Sequence, residues 1–338
     1  MPELRSATLP VRPSVRPSPP LLPSDLQKEP RLIDPSLLPA ASPSTQEAHT
    51  HTLSTFHAPA ARVGSASATL SSKIYYFSGR GGVEMAPLAP SSSSSSAGGG
   101  GGFDVFDPTT ASWSEVHAGS GDAPEARSYH ASCSDGQGVV YVHAGCPAKG
   151  RLRDLWCFDV GAGSDSRGWR KLAEAPGPAR GGASVCWCKG KVWRMNGFDG
   201  ETEQGGCLDV YSPEEDEWET MGYAADGKEG PEPRSVGCLV PVQVGGKDLL
   251  VTMFGEGRPS DLGHAGAGKM WGDVWAYDLE RRKWLCVEIE GEAPRPRGWF
   301  DADAVEGGKV FVTGGLGDGN ESGEGNERLD DAWILELK

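Results

Sequence analysis

No apolar run in the 338 residues approaches the ~20 positions that a membrane-spanning helix requires. The N-terminus lacks the uninterrupted apolar core of a secretory signal. Its Ser, Pro and Arg content faintly resembles an organelle transit peptide, but the prolines oppose the amphipathic helix that such peptides form. Paired-cysteine metal spacings are missing too: Cys133, Cys146, Cys157, Cys186, Cys188, Cys207, Cys238 and Cys286 are scattered, several of them inside apolar strand patterns such as Val185-Cys186-Trp187-Cys188. Buried thiols in a chain of this size behave as small apolar groups, which favours a reducing, cytoplasmic compartment over a disulfide framework. There is no long block of one charge. The net charge of −15 still has a location, because residues 1–60 hold five basic and five acidic residues and the surplus falls on the rest. An acidic surface repels phosphate, so neither nucleic acid nor an anionic membrane is an expected partner.

Glycine, proline and tryptophan are plentiful, and they are ordered. Residues 1–48 are Pro/Ser-rich without apolar periodicity and read as disordered. From about residue 50 a repeat begins. Arg62-Val63-Gly64, Arg127-Ser128-Tyr129, Arg180-Gly181-Gly182, Arg234-Ser235-Val236 and Arg297-Gly298-Trp299 open five units spaced 65, 53, 54 and 63 residues apart. Within each unit a small-residue strand precedes a β-branched and aromatic strand such as Lys191 to Met195 or Leu249 to Phe254. A glycine-containing loop follows, then a strand ending in an aromatic (Phe106, Phe158, Tyr211, Tyr277), and then a tryptophan strand at Trp113, Trp169, Trp218 or Trp284. Four short strands per unit make one propeller blade, and the spacing lies near the ~50-residue kelch period once loop insertions are allowed. The expected fold is therefore an all-β kelch β-propeller over residues 50–338, with five recognisable four-stranded blades and a flexible Ser/Gly insertion at 88–102. The fifth unit ends at Leu337 without a tryptophan strand, and Thr50 to Phe56 is the expected donor of the missing outer strand, covering an exposed edge.

One loop carries chemistry. Phe254 to Gly268 joins two strand signals and holds Glu256, Asp261 and His264 among glycines. Two carboxylates and an imidazole are the ligand set of an open Fe(II) site, provided that they converge. A polar loop kept for solvation is the plainer alternative. His130, His143, Asn196 and Asp199 lie at strand ends or loops and could line the same mouth, although His143 sits in an apolar strand and fits a core position.

The repeat resembles the kelch proteins of the nitrile-specifier, epithiospecifier and thiocyanate-forming family, including fungal relatives. The resemblance runs from about His51 onward and rests on Ser78-Gly79-Arg80-Gly81-Gly82, Arg127-Ser128-Tyr129-His130, Arg194-Met195-Asn196-Gly197-Phe198-Asp199-Gly200 and the Phe254–Gly268 loop. It implies a propeller that holds Fe(II) through Glu, Asp and His and directs breakdown of glucosinolate aglucones to nitriles or related products. Glu256 and His264 match the outer ligands. Ser260 stands at the middle ligand position and Asp261 follows it by one. The resemblance also places Arg62 and Arg127 on the leaving sulfate of a small-molecule substrate, a task suited to the guanidinium fork. Because every unit opens with Arg, the alternative is an ion pair repeated in each unit and made to a neighbouring blade. Family members carry a further repeat ahead of Arg62, where this chain has its proline-rich segment, so a six-bladed ring with an incomplete first blade is the expected assembly. Two other functions fit the fold: a non-catalytic scaffold gripping a protein partner, and a copper radical oxidase, for which the seven histidines are few.

Overall fold

The computed structural model describes residues 58–89, 101–119, 121–161, 168–258, 268–319 and 326–338, with backbone strands also at Ser6–Val11, Arg31–Ile33 and Thr50–Thr52. No helix occurs among the described residues. The chain divides into two compact units, one of Met1–Val11, Arg151–Arg153 and Ala173–Lys338, the other of Arg12–Gly150 and Asp154–Leu172.

The second of these units holds the sheets of the first two repeats. The first sheet runs in order Ala66–Leu70, Lys73–Phe77, Phe103–Asp107, Ser112–Val116, and the second Ala131–Ser134, Val139–Gly145, Leu152–Asp159, Trp169–Leu172. In the first sheet each strand pairs antiparallel with its successor, as short turns dictate. Phe77, Phe103, Phe158 and Trp169 meet with ring centroids 5.0–5.7 Å apart, several of them edge to face, an arrangement that suits the ring quadrupoles.

The other unit repeats the pattern. Its sheets are Ser184–Cys188, Lys191–Met195, Cys207–Ser212, Glu217–Gly222, and then Val240–Val244, Lys247–Met253, Val274–Asp278, Lys283–Val287. The third and fourth sheets share a core of Met195, Leu208, Val210, Leu250, Trp275 and Tyr277. Continuous apolar sequence produces the inner strands: Leu249 to Met253 and Val274 to Asp278 are buried on both faces, whereas the outer strand Glu217–Gly222 is partly or fully exposed throughout. Outer hairpins turn on an aspartate. Asp107 Oδ1 accepts from the amides of Thr109 and Thr110, and Asp278 Oδ1 from those of Glu280 and Arg281, each followed by a left-handed residue, Ala111 or Arg282.

The fifth sheet contains Asp301–Val305, Lys309–Thr313, Ala332–Leu337, Ser6–Val11 and Ile289–Glu290. An N-terminal segment does supply a strand to the last repeat, but a different one from that expected. Ser6–Val11 pairs antiparallel with Ala332–Leu337, while Thr50–Thr52 pairs with Arg31–Ile33. Both N-terminal stretches are short and β-competent. Pairing across such a separation is decided by the edge that is available, and nothing local to either stretch encodes that edge. Of the expected Ser/Gly insertion, 90–100 lies outside the described residues.

Candidate functional site

The repeated arginine organises each unit in the same way. Its Nε donates to the carbonyl two residues upstream: Ala60, Glu125, Pro178, Glu232 and Arg295 for Arg62, Arg127, Arg180, Arg234 and Arg297. Its Nη1 donates to the carbonyl of a residue that closes the second strand, namely Ser78, Ala144, Asn196, Phe254 and Gly314. Those acceptors have φ between 46° and 65° and each precedes a glycine. At Gly255, for example, φ is 95° and an added Cβ would stand 2.6 Å from the Ser235 carbonyl, so only glycine passes. The arginine thus pins a strained corner that must turn the chain out of the sheet.

In three repeats the guanidinium also grips a carboxylate of its own repeat. Arg127, Arg234 and Arg297 form two-pronged pairs with Asp154, Asp273 and Asp331, at 2.6, 2.6 and 2.5 Å for the closer prong. The tryptophan two residues on, Trp156, Trp275 or Trp333, donates its indole N–H to the same carboxylate. Arg62 meets Asp104 at 2.9 Å. An ion pair therefore does recur, with a partner in the same repeat rather than in a neighbouring blade. The guanidinium of Arg127 is wholly buried, and Arg62 is mostly covered. In this arrangement both arginines point into their own repeats, as the other three do.

Beyond each strained corner the chain pairs back onto the residue after the arginine. This joins Val63 to Arg80, Ser128 to Cys146, Gly181 to Phe198, Ser235 to Glu256 and Gly298 to Leu316. Arg80, Cys146, Phe198, Glu256 and Leu316 are therefore equivalent positions with unlike side chains. Glu256 is the buried acid among them, and it accepts a hydrogen bond from the Gly268 amide. Asp261 and His264 lie outside the described residues. Among the described residues no group of three or more His, Cys, Asp or Glu side chains is placed to hold a metal.

A second carboxylate, which the sequence reading missed, stands beside Glu256. Glu203 follows the turn at Asp199, whose Oδ1 accepts from the amides of Glu201 and Thr202. Both Glu203 carboxylate oxygens are buried, and no donor reaches either at hydrogen-bond geometry. Burial, with the charges of Glu256 and Asp199, pushes the Glu203 carboxyl up to about 8, and the nearby Ser235 hydroxyl and Arg151 guanidinium offset only part of this. Trp271 covers the flank of the Glu256 segment so closely that a Cβ on Gly257 would stand 1.9 Å from its indole nitrogen. Trp299, one of the large apolar side chains left exposed, follows the Gly298 corner, and its amide bonds to the Val236 carbonyl at 3.0 Å.

The remaining candidates are structural. His143 is buried with Nδ1 2.9 Å from the Asp154 carbonyl. His130 is buried and held neutral, because burial and the Arg127 charge lower it to about 3. Asp199 builds its own turn. Asn196 supplies the carbonyl that Arg180 needs, and neither polar atom of its buried side chain has a partner.

Comparison with known proteins agrees with this geometry. A chain similar over 130 residues, 30% identical, is the flagellar outer arm dynein alpha chain of Chlamydomonas reinhardtii; the match takes in 38% of this chain and only 2% of that one. The solved structure of YjhT is similar in fold, with a TM-score of 0.61 and 16% identity, over 87% of this chain and 89% of that one. Residues 42–255 match the KLHDC2/KLHL20/DRC7 Kelch-repeats domain. The chain belongs to this kelch-repeat family and has the all-β kelch propeller fold.

Proposed function

We propose that this kelch propeller is a binding module for a protein partner, with the loops of its third to fifth repeats as the contact surface. The observation that carries this reading is the contrast between a constant frame and a varied register. Five arginines make the same backbone contacts, whereas Arg80, Cys146, Phe198, Glu256 and Leu316 share one position and differ in chemistry. Loops varied on a rigid scaffold are the usual place for recognition. Exposed Trp299 is the residue type that anchors interfaces, and Glu256, the acid in the varied register, favours a partner with a basic group. The similarity to a segment of a flagellar dynein chain suits a module that works within a larger assembly. A photo-crosslinking residue at position 299 would capture the partner. Affinity for the purified partner should then fall about tenfold or more in Trp299→Ala and in Glu256→Lys. Unchanged affinity in both would remove this reading.

The Fe(II)-dependent specifier function is the second reading, supported by the burial of Glu256 at the start of the loop that carries Asp261 and His264. The buried Glu203 carboxylate, near the Ser235 hydroxyl, offers a further oxygen donor suited to a divalent ion. In this reading a bound iron would supply Lewis-acid chemistry toward a glucosinolate aglucone, and Arg62 and Arg127 would have to leave their aspartates to hold its sulfate. Iron content after anaerobic loading, compared with that of a Glu256→Ala, His264→Ala variant, decides the matter. Near-stoichiometric iron lost in the variant supports the metal centre, and equal iron in both removes it.

A further inference from the structure

The third repeat leaves one place in the arginine frame unfilled. In the second, fourth and fifth repeats, Nη2 of the repeated arginine donates to Oδ2 of the bracing aspartate, Asp154, Asp273 or Asp331. Asp154 stands four residues before the closing Phe158, and Asp273 four before Tyr277. The residue four before Tyr211 in the third repeat is Cys207. Arg180 keeps its Nε bond to the Pro178 carbonyl and its Nη1 bond to the Asn196 carbonyl, at 3.1 and 3.0 Å. Its Nη2 makes no hydrogen bond among the described residues, although the whole residue is only 6% exposed.

Cys207 is open to solvent on this side. Of the eight cysteines, Cys207 and Cys286 are the exposed ones. Cys207 begins the third strand of its sheet, paired with Gly222, and its sulfur lies within electrostatic reach of the Arg180 and Arg194 guanidinium groups. The neighbouring Asp209 carboxylate is already engaged, by Arg194 at 2.6 Å and by the Thr220 hydroxyl at 2.7 Å. Cys286 has the opposite surroundings, where burial and then the charges of Asp273 and Glu288 push its thiol up. Oxidants reach exposed sulfur, and a guanidinium favours the anionic products of its oxidation.

We propose that Cys207 is an oxidative modification site, and that its sulfinate takes the place of the missing aspartate on Arg180. A sulfinate carries two oxygens and one negative charge on the atom after Cβ, as the aspartate carboxylate does. From the same backbone position in the fourth repeat, that arrangement reaches the arginine at 2.6 and 2.9 Å. The chemistry consumes two equivalents of a peroxide. In each step the sulfur takes one peroxide oxygen, an S–O bond forming as the O–O bond breaks, and the other oxygen leaves as water. The thiol is oxidised through sulfenic to sulfinic acid, the peroxide is reduced, and the sulfinic proton passes to solvent. The Arg180 fork then holds the anion through two parallel bonds. Sulfinate is not returned to thiol by ordinary reductants, so the corner at Asn196 is braced for the life of the chain.

The test treats the reduced full chain with stepwise hydrogen peroxide, removes the excess with catalase, and maps the adducts by peptide mass spectrometry. Cys207 should gain two oxygen atoms before Cys286 gains any. Oxidation should raise the melting temperature by about 2 °C over the change in an identically treated Cys207→Ser chain, which accounts for oxidation elsewhere. That rise should vanish in Arg180→Met. Cys207→Asp should show it without peroxide, which serves as the check if Arg180→Met does not fold. Earlier oxidation of Cys286, a disulfide at Cys207 in place of the two-oxygen adduct, a melting temperature that stays or falls, or a rise retained in Arg180→Met would each overturn the proposal.

Discussion

The third and fourth repeats solve one problem in two ways. In the fourth, Arg234 holds the Phe254 corner and is itself held by Asp273, which Trp275 braces. In the third, Cys207 occupies the position of that aspartate and Asp209 the position of the tryptophan, each counted back from the closing aromatic, Tyr211 or Tyr277. Asp209 pairs with Arg194 at 2.6 Å, and Arg180 keeps its two backbone contacts without a carboxylate. Burial, and then the Arg194 charge, lower Arg180 to about 10. Residues two apart on a strand share a face, so a carboxylate displaced by two positions still points into the same space. What persists from repeat to repeat is a buried guanidinium–carboxylate pair. Which arginine makes it is free to change.

The sharpest way to break this comparison is Arg234→Ala. It leaves the Asp273 carboxylate without its partner and frees the Phe254 carbonyl, and it should cost about 3–5 kcal/mol by denaturant unfolding. Gly255→Ala comes next. Its left-handed φ and the Ser235 carbonyl 2.6 Å from the new Cβ should cost about 2–3 kcal/mol by the same measurement.

Glu203→Gln tests the boundary between the two repeats, and its effect depends on pH. The folded-state pKa of Glu203 is raised, so the native state binds the extra proton in the window between the ordinary glutamate value of 4.5 and about 8. Stability from this group is therefore present below that window and is lost as pH rises through it. The Gln variant should match the wild type at pH 4.5 and melt higher at pH 8 and above, by about 2 kcal/mol after allowing for solvent screening. Parallel melting curves of the two proteins across this range would show that the carboxyl ionises normally.

Smaller effects sharpen the contrast. Cys207→Asp should give Arg180 the carboxylate that the fourth repeat has, and raise stability by about 1 kcal/mol. Arg180→Met should cost under ~1 kcal/mol, because it removes a charge that lies beside Arg194. A loss as large as that of Arg234→Ala would mean that the backbone contacts, rather than the ion pair, dominate in both repeats.

Much of the frame is legible in the linear sequence. The arginine, glycine and tryptophan positions give the repeat, and alternating and continuous apolar runs give the strand order. The bracing aspartates are legible as well, as Asp two residues before Trp at 154, 273 and 331. Glu203 left no such trace. It sits in a glycine-flanked turn 53 residues from Glu256, and their meeting depends on two adjacent repeats being packed together. The partner of the last strand was hidden for a related reason, since Ser6–Val11 and Thr50–Thr52 are equally fit to form strands and only the long-range edge chooses between them.

The strained corners also bind one repeat to the next. The Val236 amide takes the Gly182 carbonyl and the Trp299 amide takes that of Val236, while Gly197 and Gly255 donate forward to the Arg234 and Arg297 carbonyls. Adjacent repeats therefore clasp each other in both directions, through backbone alone. Amide protons at 197, 236, 255 and 299 should exchange as a linked set, so that melting any one repeat uncovers its neighbours and the third to fifth repeats give way together.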